Sequence, residues 1–260
     1  EGVAPSLTMA RHNWPIDSVA WVRGHQPAGN VYHTLTFGGY IVWHLSEYRL
    51  FADTREYCFK HLEETYVKAN RNPEVLKRQI LEEYGVNTFI SLIPGNRQLP
   101  DRGFEDVHAR FIPSDEWARV YFDHISEVML RRIPKHRKLI QKHEIKALNP
   151  SLPPDYFVRI LLGTETYRGA PPRKLVEREL SECLERKPLQ MFCRLIRYLV
   201  LGVQGNYFET SEALKQLEGM SDLDLRNERV YVQGYVHSTK IILRKRLGIE
   251  TSGAKVLVDA

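Results

Sequence analysis

Apolar and polar positions follow two periods along the first half of the chain. Val86-Asn87-Thr88-Phe89-Ile90-Ser91-Leu92-Ile93 is rich in β-branched and aromatic residues and predicts a strand. Asn30-Val31-Tyr32-His33-Thr34 and Tyr48-Arg49-Leu50-Phe51-Ala52-Asp53 predict two more. Trp117 to Asp123 and Val128 to Arg132 predict a hairpin that turns near residues 124–127. Helical periodicity lies between these runs. Trp14-Pro15-Ile16-Asp17 opens a helix through Trp21, since proline suits a first turn. Gly38 and Gly39 are expected to turn the chain into a short buried helix ending near Leu45. Residues 56–70 and 73–84 predict two further helices, the second with Val75, Leu76, Ile80 and Leu81 on one face and Gly85 as its stop. Pro94, Gly95, Pro100, Gly103 and Pro113 make the stretch between them a loop.

From about residue 155 the pattern is helical. Leu175, Val176, Leu180 and Leu184 recur at helical spacing, an apolar segment runs from Met191 to Val203, and a long helix is expected from Leu225 to Leu247. Gly205 to Leu217 reads as the second helix of a tetratricopeptide-like hairpin, without the self-similarity that a repeat array shows. Pro150, Pro153 and Pro154 separate the halves. The expected fold class is an α/β (α+β) domain with a small mixed sheet over residues 1–148, followed by an all-α domain of helical hairpins over residues 149–260.

Composition is that of a globular protein. With 43% hydrophobic and 27% charged residues, the chain is neither collagenous nor a disordered tail. Its longest apolar run, Phe37 to Trp43, falls far short of the roughly 20 residues that span a bilayer. Residue 1 is Glu and no secretory pattern follows, which fits an excised or processed piece. The net charge of +5 is concentrated. Residues 131–146 gather seven cations, Arg131, Arg132, Lys135, Arg137, Lys138, Lys142 and Lys146, against one Glu. This tract reads most simply as a solvated linker face between the halves. As a binding surface it favours anionic lipid headgroups over nucleic acid, because aromatics for base stacking are not interleaved with the cations.

Catalytic signatures are sparse: no nucleophile elbow, zinc-protease helix, P-loop or dinucleotide-binding glycine pattern occurs. The histidines do not fall at metal-ligand spacing, Asp106/His108 and Asp123/His124 being isolated pairs, so neither a metal nor a cofactor is expected. Cys183 and Cys193 flank Pro188 at five residues on either side. Two core thiols are the first reading, with Cys58 a third, and a disulfide across a helical hairpin in an oxidising compartment is the alternative. Asp53 and Arg55, at a strand end beside Gly38 and Gly39, are candidates for binding a glycan, peptide or sugar phosphate. The structural alternative is that Asp53 caps the next helix and Arg55 pairs with a carboxylate.

One ordered set of motifs is more distinctive: Pro15 with an apolar helix, Asn30-Val31-Tyr32, Phe37 to Trp43, Leu50-Phe51-Ala52-Asp53-Thr54-Arg55-Glu56-Tyr57, Tyr84-Gly85-Val86-Asn87, then Trp117 to Arg132. Over residues 14–132 this resembles the soluble C-terminal domain of polytopic bacterial glycosyltransferases of the dolichyl-phosphate-mannose mannosyltransferase-like kind. Where that family reads Asp-Gly-Arg with a further acidic residue, this chain has Asp53-Thr54-Arg55-Glu56. The resemblance implies a non-catalytic accessory domain on the extracytoplasmic (periplasmic) face, assisting acceptor handling or complex assembly. Its partners would be its own upstream transmembrane region, an anionic lipid or polyprenyl-phosphate surface, and a protein bound by the helical part. Two other functions compete: a stand-alone enzyme acting on a nucleotide or sugar phosphate, and a peptide-binding helical scaffold.

Overall fold

A computed structural model describes residues 14–51, 60–69, 72–93, 114–123, 125–164, 169–186, 191–220 and 230–249. They divide into two compact units, and the chain passes from the first to the second between Glu144 and Ile145. The fold is mixed α/β, with one four-stranded sheet.

The sheet belongs to the first unit. Its strands are β1 (Asn30–His33), β2 (Val86–Leu92), β3 (Trp117–Phe122) and β4 (Ser126–Arg131), ordered β1-β2-β4-β3. β1 and β2 are parallel, Tyr32 facing Phe89, because a helical crossover separates them. β4 is antiparallel to both neighbours, Phe89 facing Met129 and Ala118 facing Leu130. The β3–β4 turn is closed by Asp123, whose Oδ1 accepts the amides of Ile125 and Ser126, each at 2.8 Å.

Both faces of the sheet are covered, so its strands read as nearly continuous apolar runs. Val31, Ile90, Val128 and Leu130 pack beneath α1 (Ile16–His25) and α2 (Gly38–His44), which supply Val19, Val22, Phe37 at the helix edge and Ile41. The alternate side chains Tyr32, Phe89, Trp117 and Met129 meet α3 (Lys60–Ala69) and α4 through Tyr66, Leu76 and Ile80. α4 starts at Pro73–Val75, with the Asn72 side chain accepting the Glu74 amide at 3.0 Å. It then widens into π-helical turns over Leu76–Glu82, where the Glu83 amide reaches back five residues to the Arg78 carbonyl at 3.1 Å.

Three expectations change. The strand at 48–53 reduces, over its described part, to one parallel bridge of Leu50 with Val31. Two backbone bonds hold it, Val31 to Arg49 and Phe51 to Val31. Gly38 and Gly39 are not a turn: Gly38 is α-helical (φ −53°, ψ −49°), and both stand in the first turn of α2 after a 3₁₀ turn at Leu35–Phe37. The basic tract is not a linker. Its Arg131 ends β4, and Arg137–His143 form α5, whose Ile140 is buried in the first core cluster. The loop at 94–113, Cys58 and Pro188 lie outside the described residues.

The second unit contains α6 (Pro154–Leu162), α7 (Arg173–Arg186), α8 (Met191–Gln204), α9 (Tyr207–Glu218) and α10 (Val230–Arg246). α8 is its axis, packing against each of the other four helices. It is apolar around most of its circumference, as a central helix must be: Met191, Leu195 and Tyr198 pack with Ala213, Leu214 and Leu217 of α9 and Val236 and Leu243 of α10. Gly202 sets the α8–α10 approach, since a Cβ there would stand 2.8 Å from Ile242 Cγ2. Gly205 and Asn206 break α8 from α9, and the Asn206 side chain caps α9 by accepting the Glu209 amide at 2.9 Å. Pro150 and Pro153 lie within this unit, and Pro154 opens α6 at the position where its missing N–H costs nothing. At the start of the unit, the buried Glu179 carboxylate accepts the amides of Lys146, Ala147 and Leu148 at 2.7, 2.8 and 2.9 Å.

Candidate functional site

The candidate residues named from sequence are not gathered into one site. Gly38 is buried and Gly39 exposed in the first turn of α2. Asp53 and Arg55 lie outside the described residues. Of the basic tract, Arg132, Lys135, Arg137, Lys138, Lys142 and Lys146 are exposed and Arg131 is half-buried. Cys183 and Cys193, read first as two core thiols, are joined as a disulfide with a Cα–Cα distance of 6.5 Å. Among the described residues no group of three or more His, Cys, Asp or Glu could hold a metal ion.

In the first unit two buried carboxylates, Asp123 and Glu127, serve the fold. The Ser18 and Ser126 hydroxyls are 2.8 Å apart, and Ser126 also donates to Asp123, whose carboxylate already holds the hairpin turn. Burial, and then the neighbouring Asp123 and Asp17 carboxylates, push the Tyr121 hydroxyl far above the usual tyrosine range. On the other face of the sheet, fully buried Glu127 accepts from Arg119 Nε at 2.6 Å and from Ser91 Oγ at 3.4 Å. Each of these carboxylates is occupied by its own neighbours.

The second unit holds an open cavity of about 280 Å³. One wall is α8, through Arg194, Arg197, Tyr198 and Leu201; the other is α9, through Glu209, Glu212, Ala213 and Gln216; Leu184 of α7 closes one side. Both sets have the i, i+3, i+4, i+7 spacing of a single helix face, so the two helices turn matching stripes toward one groove. Tyr198 Oη donates to Gln216 Oε1 at 2.5 Å across it. Burial raises the Tyr198 hydroxyl above the ordinary tyrosine range, against the opposing pull of Arg194 and Arg197, and Glu212 pushes in the same direction as burial. Among the described residues neither arginine forms an ion pair. The groove therefore offers guanidinium donors from one wall, carboxylate acceptors from the other and an apolar strip of Leu184, Leu201 and Ala213. Among its described lining residues there is no Ser, Cys or His.

The disulfide borders this groove. Cys183 directly precedes Leu184 and Cys193 directly precedes Arg194, so the cross-link fixes the α7–α8 corner from which both lining residues project. Sequence reasoning named the cysteines and the α8–α9 hairpin but missed the lining. The available signal was Arg194 and Arg197, the only charges within the apolar run Met191 to Val203. No family model matches the chain, and no curated protein and no solved structure matches it.

Proposed function

We propose that this protein is a non-catalytic interaction module of an oxidising, extracytoplasmic compartment, whose helical unit binds a mixed-charge peptide segment of a partner. The observation that carries the reading is the α8–α9 groove, with cations on one wall that form no ion pair among the described residues, carboxylates on the other and apolar side chains between. A segment carrying an acidic, an apolar and a basic residue meets all three. Packed helix pairs recognise peptides through such side-chain grooves. The disulfide supports the compartment, since cytosolic thiols are kept reduced. In the setting that the glycosyltransferase resemblance implies, the bound segment belongs to the acceptor or to another subunit of the complex, and the sheet unit is the accessory domain.

Selection of random displayed peptides on the full chain, followed by fluorescence polarisation with the selected sequence, tests this. Mixed-charge peptides are expected, with affinity falling at least tenfold in Arg194→Ala/Arg197→Ala while the melting temperature holds. Equal affinity for the double variant would refute the groove. A nucleotide or sugar phosphate that stabilised the protein where no peptide was selected would favour the enzyme reading instead. For the compartment, blocking free thiols during isolation of the native protein is expected to leave Cys183 and Cys193 unlabelled, and labelling of both would oppose the assignment.

A further inference from the structure

Of the 37 Lys/Arg and 32 Asp/Glu in the chain, residues 131–146 hold seven and one, so the remainder carries a net charge of −1. The entire positive character of the protein is the property of one short segment. The structure then decides where that charge points. At 100° per residue, Arg137, Lys138, Gln141 and Lys142 occupy an arc of about 140° on α5. All four are exposed, while Ile140 on the opposite side is buried and Leu139 packs against the same core. Lys135 extends this face from the 3₁₀ turn Pro134–His136 that leads into the helix. Glu144 is the lone acid of the segment, and Arg132 Nη2 binds its Oε1. Among the described residues Lys135, Arg137, Lys138 and Lys142 form no ion pair.

The face is also held rigidly. His136, fully buried, meets Ala28 at Nε2, with the amide at 2.9 Å and the carbonyl at 3.0 Å, and the Arg131 carbonyl at Nδ1 (2.9 Å). The cations thus sit on the outward side of a short helix whose inner side packs on the core of the sheet unit, with no Phe, Trp or Tyr interleaved among them to stack a base.

We propose that this outward face of α5, with Lys135, docks on an anionic phospholipid bilayer. A plane of headgroups supplies many phosphates at once, which suits cations dispersed along the outward side of a helix better than one enclosed anion does. Each cation near such a surface multiplies the partition constant about fivefold, so removing two lowers it about 25-fold. The interaction is long-range electrostatics and is screened by salt. It is independent of the α8–α9 groove, which lies in the other unit.

Flotation of the full chain with vesicles of equal parts phosphatidylglycerol and phosphatidylcholine tests the proposal. The protein is expected to float with these vesicles and not with pure phosphatidylcholine. Binding should be lost as salt rises from about 0.1 M to about 1 M and the screening length falls from about 10 Å to about 3 Å. Lys138→Glu/Lys142→Glu should lower binding at least 25-fold with an unchanged melting temperature, and Arg194→Ala/Arg197→Ala should bind vesicles as the parent does. Equal flotation with neutral vesicles, failure of the folded parent to float with anionic ones, or an unaffected charge-reversal variant would each overturn it. Displacement from vesicles by duplex DNA at equal phosphate concentration would overturn it in favour of nucleic acid. Displacement by inorganic phosphate at that concentration would assign the cations to a free anion.

Discussion

Removing the disulfide tests the helical unit and its groove together. Cys183 and Cys193 are separated by ten residues, and the bond closes that short loop in the unfolded chain. The chain-entropy relation, about 2.1 cal/mol/K plus 1.5R times the logarithm of loop length, comes to about 9 cal/mol/K, or about 2.7 kcal/mol at 25 °C. For a unit of this size roughly 4 °C of melting temperature corresponds to 1 kcal/mol, so Cys183→Ser/Cys193→Ser should melt about 10 °C lower. Cys193 is fully buried and packs within α8, and a serine hydroxyl there adds to the loss. Differential scanning calorimetry with and without reductant provides the internal control. Reductant should lower the parent toward the variant and leave the variant unmoved. Because Leu184 and Arg194 adjoin the two cysteines, affinity for a groove-selected peptide should weaken in parallel. A parent in which Cys183 and Cys193 titrate as free thiols along with Cys58, or a variant melting within about 2 °C of the parent, would show that the bond does not tie the α7–α8 corner.

Three further outcomes follow from single contacts. Glu179→Ala strips the acceptor from the amides of Ala147 and Leu148, both buried, and should cost about 3 kcal/mol in urea unfolding; Glu179→Gln keeps one acceptor oxygen and should cost less. Gly202→Val places branched carbons against Ile242 and Leu243 and should destabilise by about 1–3 kcal/mol, whereas a neutral result would mean that α10 can retreat from α8. Tyr121 has its folded-state hydroxyl raised by burial and then by Asp123 and Asp17, so the neutral phenol stabilises the fold. That contribution is complete below the unfolded value near 10 and is lost as pH rises above it. Alkaline melting should therefore steepen above about pH 10 and be shallower in Tyr121→Phe; absorbance showing Tyr121 ionised in the folded protein would contradict the burial argument.

What could be read from the sequence was what local pattern decides. β2, β3, β4 and the central apolar helix were legible because two-sided burial writes continuous apolar runs, and α4 because its apolar face recurs at helical spacing before Gly85. The strand expected at 48–53 is cut to a single bridge over its described part for a non-local reason. Its alternation is strand-like, but over residues 48–51 the structure pairs it, among the described residues, only with Val31, at the outer edge of a four-residue β1. The glycine pair misled in the opposite direction. Gly38 and Gly39 promised a turn, yet Tyr40 and Ile41 bury against the sheet and recruit both glycines into the helix, packing outweighing about 1 kcal/mol of propensity per residue. The basic tract looked like a linker because its charges dominate its composition. Leu139 and Ile140 were the signal that one side of it is core, and a seven-residue helix is too short for periodicity to stand out.

The groove was hidden for a different reason. A binding wall made from the exposed edge of a central helix contributes few residues to the pattern, and those few are outvoted by the core. On α8 the burial of Met191, Leu195, Ile196 and Leu199 sets the helix, and Arg194 and Arg197 read as ordinary surface charges. Only the pairing with α9 turns them into a site, since the acids that face them, Glu209 and Glu212, lie one hairpin away and look equally ordinary alone. Two arginines one turn apart in an otherwise apolar helix, with two acids at the same spacing in the first half of the next helix, is the pattern that marks such a groove. It follows that exchanging the charges, Arg194→Glu/Arg197→Glu with Glu209→Arg/Glu212→Arg, should preserve the fold while inverting the order of acidic and basic residues in the peptides selected. A fourfold variant that selected the parent's peptides would place recognition elsewhere on the protein.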